Sequence, residues 1–186
     1  MNLKGNRKFL ILAAVLVLVL ALAVGGTIAY FTYDEVVHNV ITTSGLELEL
    51  HEYDENGDPF KDIEGAVPGG SYGKKVVIEN TGEAASWIRM KVTKDIKLAG
   101  EGTPNLDLIK LDMNKKDWTY GDDGYWYYNY ALEAGDTTEP LFTTVTIDAG
   151  MGNLYQKATL KIDVQAYGVQ AANNGTSALT AEGWPA

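Results

Sequence analysis

Thr159-Leu160-Lys161-Ile162-Asp163-Val164-Gln165-Ala166-Tyr167-Gly168-Val169 decides the fold class of this 186-residue chain. Leu160, Ile162, Val164 and Ala166 alternate with Lys161, Asp163, Gln165 and Tyr167. A period of two sends one set of side chains into a core and the other outward from a strand. The same pattern recurs upstream. Leu46-Glu47-Leu48-Glu49-Leu50 puts leucines on one face and glutamates on the other, and Trp87 to Thr93 points Ile88, Met90 and Val92 inward and Arg89, Lys91 and Thr93 outward. Lys74 to Glu79 and Leu141 to Ile147 are β-rich runs bounded by turn residues, and Val36 to Ile41 and Gly124 to Tyr130 add two more.

Turn chemistry separates these runs: Asn56-Gly57-Asp58-Pro59, Pro68-Gly69-Gly70, Asn80-Thr81-Gly82, Gly121-Asp122-Asp123-Gly124 and Ala134-Gly135-Asp136. The count comes to about eight strands. Few segments show a helical period. Leu106 to Leu111 suits a short helix or a strand, and Ser177 to Glu182 suits a terminal helical turn. Short strands at regular spacing predict an all-β, antiparallel jelly-roll or sandwich domain.

The N-terminus reads differently. Lys4, Arg7 and Lys8 precede an unbroken apolar run from Phe9 to Val24, with Gly25-Gly26 after it. A basic start, an apolar stretch and small residues at the exit describe a secretory signal peptide. Thr27 and Ala29 stand where small residues flank a cleavage site, so the cut is expected between Ala29 and Tyr30. The alternative is an uncleaved anchor helix, for which sixteen apolar residues are short. Either way the basic start stays on the cytoplasmic side and the remainder lies outside. Residues 1–29 are thus expected to be a signal peptide and residues 30–186 one domain. The membrane is met only through the N-terminal segment.

Composition narrows the function. The chain has 25 Asp and Glu against 15 Lys and Arg, a net charge of −10, and no cysteine. Acidity of that degree disfavours a nucleic-acid partner. The lack of cysteine removes disulfide scaffolds, iron–sulfur clusters and thiol nucleophiles. With 46% hydrophobic residues the chain is not of disordered composition.

The segment Gly25-Gly26-Thr27-Ile28-Ala29-Tyr30-Phe31-Thr32, followed by Asn39, Ile41-Thr42-Thr43-Ser44-Gly45 and Leu46 to Leu50, resembles the N-terminus of the TasA/camelysin family. Pro68-Gly69-Gly70 with Val76-Val77-Ile78-Glu79-Asn80-Thr81-Gly82 is similar to that family's interior. Trp118 with Gly124 to Asn129, and Val164 to Gln170, look like a short clostridial subgroup. The resemblance implies a jelly-roll subunit of extracellular biofilm-matrix or cell-surface fibres in a Gram-positive bacterium. It also implies release by a SipW-type signal peptidase, with the chain itself and other matrix proteins as partners. In such fibres an N-terminal strand of one subunit completes the sheet of the next. Here that donor strand would be about Tyr30 to Thr43, with Phe31, Tyr33, Val36, Val40 and Ile41 filling the acceptor groove. The alternative is that this segment pairs within its own domain.

No enzyme and no cofactor are expected. Some camelysin-like proteins are classed as metallopeptidases, yet only His38 and His51 are present, and His51-Glu52 lacks the second histidine of H-E-x-x-H. His51 therefore reads as a surface residue at a strand end. Asp54, Asn56 and Asp58 have the spacing of a calcium loop, but Pro59 and Gly65 stand where its Gly and Glu belong. Ser71 lacks a G-x-S-x-G elbow. Between Trp118 and Tyr130 lie Tyr120, Tyr125, Trp126, Tyr127 and Tyr128, an aromatic strip suited to structure or a subunit interface. Trp118, Tyr125, Trp126, Tyr127 and Tyr128 are its candidate interface residues. The alternative function is a ligand-binding module, secreted or tethered at the membrane by residues 9–29, whose strip contacts glycans.

Overall fold

The computed structural model describes residues 31–33, 39–42, 46–61 and 64–185, with backbone alone for 31–33, 39–42, 64 and 65. Twelve strands occur among the described residues. They are β1 (Phe31–Tyr33), β2 (Asn39–Thr42), β3 (Leu48–Tyr53), β4 (Glu64–Ala66), β5 (Ser71–Gly73), β6 (Lys75–Asn80), β7 (Ser86–Lys97), β8 (Ile109–Leu111), β9 (Trp118–Tyr120), β10 (Trp126–Tyr128), β11 (Thr144–Ile147) and β12 (Thr159–Gln170). Helical structure among the described residues is confined to three short 3-10 turns. The chain is therefore all-β. Strands β4, β5 and β9 escaped the sequence count because three residues are too few to display a period.

The largest sheet runs β4-β1-β12-β7-β10-β9, with β2 also on β12; two smaller sheets are β5-β11-β8 and β3-β6. Its backbone is the β7–β12 ladder, twelve antiparallel pairs from Thr159↔Lys97 to Gln170↔Ser86. Hydrogen bonds outside the strands join the two smaller sheets: Lys74 N–H donates to Thr143 O, Leu141 N–H to Val76 O and Thr138 N–H to Ile78 O. Most pairings are antiparallel, as expected. The exceptions are β1 and β2, which run parallel to β12.

One buried cluster draws side chains from all three sheets, among them Leu50, Ile78, Met90, Ile109, Val145, Ile162 and Val164. The inward set on β12 is the one its alternation predicts: Leu160, Ile162, Val164 and Ala166 are all buried. At Gly168 the same strand leaves room for the end of Leu48, which a Cβ there would make shift. Lys74 and Glu52 form a buried ion pair at 2.6 Å, with Lys74 Nζ 4.1 Å above the Phe60 ring. Leu106 to Leu111 turns out to be both alternatives in succession, a 3-10 turn at Leu106–Leu108 and then β8. Residues 178–180 form the expected terminal turn.

Two expectations need correction. Arg89 and Tyr167, placed outward by alternation, are 8% and 5% exposed. A second cluster of Trp87, Tyr127, Val169, Ala178 and Ala181 covers that face, with Tyr125 and Trp184 packed against it. The outward face at this end is closed by the C-terminal segment, a contact that no local period encodes.

Candidate functional site

The N-terminal stretch occupies the edge of β12 opposite β7. Thr32 and Tyr33 pair with Thr159 and Leu160, and Asn39, Val40, Ile41 and Thr42 pair with Gln165, Ala166, Tyr167 and Gly168. The β1 segment also carries β4 on its far side, Phe31 opposite Ala66. Four of the five candidate donor residues, Phe31, Tyr33, Val40 and Ile41, thus lie in strands paired within the chain. Val36 and the cleavage residues Thr27, Ala29 and Tyr30 lie outside the described residues.

The aromatic strip divides between the two clusters, because β10 places alternate residues on opposite faces. Trp118 and Tyr128 sit in the main core with their rings 5.0 Å apart, and Trp118 Nε1–H donates to Glu139 O at 3.0 Å. Tyr127 belongs to the second cluster, edge-on to Trp184 at 5.9 Å. Trp118, Tyr127 and Tyr128 are each buried, so their rings are committed to the chain's own packing.

The second cluster packs against Arg89, which alternation places outward. The Arg89 guanidinium lies 3.9 Å from the Tyr125 ring, 4.7 Å from Trp184 and 5.1 Å from Tyr167. Its Nη2 donates to Pro185 O at 3.1 Å and its Nη1 stands 3.7 Å from Asp123 Oδ2. Stacking on aromatic faces offsets part of the cost of taking this charge out of water, although Nε is left without an acceptor. Burial would push the Asp123 carboxyl up. The Tyr127 hydroxyl at 2.6 Å, the Tyr125 N–H and the Arg89 charge together outweigh it and hold the group below the ordinary Asp value. Alternation placed Arg89 outward, and its burial depends on Trp184, almost one hundred residues away.

Tyr120 and Trp126 line a groove. Tyr120 is 60% exposed and its ring lies 4.9 Å from Trp126. Together with Val92, Lys94, Ile109 and Met113 they bound a cavity of about 380 Å³ between β7, β9, β10 and β8. Lys94 Nζ at its wall donates to Ile109 O at 2.9 Å.

The Asn56-Gly57 turn explains its own acids. Asp54 Oδ1 accepts from the N–H groups of Asn56 at 2.8 Å and Asp58 at 3.0 Å, and Gly57 takes the positive φ of +86°. His51 lies mid-strand in β3 and not at the strand end expected, and Glu79 Oε2 on the paired strand accepts a hydrogen bond from its Nε2 at 2.9 Å. Comparison with protein families, with curated proteins and with solved structures finds no match. Among the described residues no helix is long and apolar enough to cross a membrane.

Proposed function

We propose that this chain is a secreted, non-enzymatic structural subunit, a jelly-roll β-sandwich that assembles into or decorates biofilm-matrix or cell-surface fibres of a Gram-positive bacterium. The observation that carries this reading is the edge of β12. There the described residues of the N-terminal segment form two short strands parallel to β12, β1 and β2. Residues 30–43 of a neighbouring copy could make the same backbone pairs in trans with no net loss of hydrogen bonds, which is the condition for strand exchange and β-augmentation. A single core drawing on every sheet supports the two-layer architecture. An acidic exported chain, cut after Ala29 by a SipW-like peptidase, frees that segment for exchange. Its partners are then further copies and other matrix proteins.

Electron microscopy of the purified mature chain, with its N-terminal residue found by mass spectrometry, tests the reading. Fibres from a chain beginning at Tyr30, and soluble monomer after deletion of 30–43, are expected. A full-length chain that never polymerises, or fibres unaffected by the deletion, would refute it. A second reading, a glycan-binding module, is favoured by the Tyr120–Trp126 groove. Aromatic pairs of this kind stack on sugar rings, and Trp126→Ala should then abolish glycan retention on an array while leaving any fibres intact.

A further inference from the structure

We propose that Glu49, His51 and Glu79 form a binding site for a divalent transition cation of the zinc type on the outward face of the β3–β6 pair. The site is assembled by strand geometry. Glu49 and His51 are two apart on β3 and so share a face, and Glu79 is the register partner of Glu49 on β6. Their donor atoms all lie within 4.8 Å of one another. His51 Nε2 is 2.9 Å from Glu79 Oε2 and 3.7 Å from Glu49 Oε2.

Zinc takes nitrogen and carboxylate donors at about 2.0–2.2 Å, so two donors at adjacent corners of a tetrahedron or octahedron stand about 3–3.5 Å apart. The two separations from His51 Nε2 bracket that span, and rotation of the exposed Glu49 side chain would let all three donors meet one ion. The ion would take the place of the hydrogen bond between Nε2 and Glu79. Electrostatics points the same way. Carboxylates directly opposite each other across an antiparallel pair repel, and a dication between Glu49 and Glu79 converts that repulsion into attraction. The Tyr53 ring stacks on the imidazole at 5.9 Å and 23°, which restrains its orientation.

The donor set selects the ion class. One imidazole with two carboxylates suits zinc, nickel or copper, whereas calcium and magnesium prefer all-oxygen ligands. The side chains of His51, Glu79 and Glu49 are 26%, 40% and 61% exposed, leaving room for water at the open positions. The site was invisible to a search for H-E-x-x-H, because its third ligand comes from across the sheet.

Titration calorimetry of zinc chloride into the full-length chain tests the proposal. One equivalent should bind, His51→Ala and Glu79→Gln should each weaken binding at least about tenfold, and excess calcium should not compete. In the wild-type chain, NMR should show zinc shifting the His51 ring resonances and leaving those of His38 in place, a readout that needs no variant to fold. Absence of zinc binding, binding retained in both variants, or a shift confined to His38 would each overturn it.

Discussion

The two faces of the β7–β12 ladder meet opposite fates. On the inner face Ile88, Met90, Leu160, Ile162, Val164 and Ala166 are buried, with Val92 and Lys94 half-buried at the groove. On the outer face Lys91, Thr93 and Asp95 are exposed, while Trp87, Arg89, Tyr167 and Val169 a few residues along are buried. The inner face is closed by other sheets with apolar contacts. The outer one is closed at one end only, by a C-terminal segment held through polar links: Trp87 Nε1–H donates to Asn174 O at 2.7 Å and Arg89 to Pro185 O. A β-sheet face can thus be half solvent and half interior, with the division set by what is laid across it.

Three changes probe this contrast. Ile162→Ala should have the largest effect, costing about 2–5 kcal/mol in urea unfolding, because a fully buried side chain leaves a cavity among several strands. Trp184→Ala should cost less, about 1–2 kcal/mol, since the ring is only partly buried. It should also expose Tyr125 and Tyr127 to fluorescence quenchers. Equal costs for the two would mean that the faces are energetically alike.

The smallest effect belongs to Asp123→Asn, below about 1 kcal/mol because the side chain is 46% exposed and its ion pair is screened. Its value lies in the pH profile. A carboxyl held below its unfolded pKa stabilises the fold above that unfolded value, about 3.9, and the contribution is lost as pH falls through the folded one. Acid unfolding of the wild type should therefore be steeper below about pH 4 than that of Asp123→Asn. Identical acid limbs would show that Asp123 does not tie the outer cluster together.

How far the strands were legible follows from their length. Thr159 to Val169 and Trp87 to Thr93 announce themselves because many alternating residues accumulate one signal, and both appear as long strands. The strands β4, β5 and β9 have three residues each and no period to read. Among site residues, the split of the aromatic strip into two faces followed from parity alone: Tyr128 went to one cluster and Tyr127 to the other. The burial of Arg89 and the convergence of Glu49, His51 and Glu79 did not, since each depends on a partner 28 or more residues distant.

Alternation and turn residues are properties of neighbours in the chain, so the sequence by itself determined that this protein is all-β, where its long strands run and which of their faces point inward. Which edge the N-terminal segment lines, which end of the outer face the C-terminus seals, and which carboxylates meet across a strand pair were decided only in three dimensions. These are pairings between distant segments, selected by the total burial and hydrogen bonding of the folded chain, and no local pattern carries them.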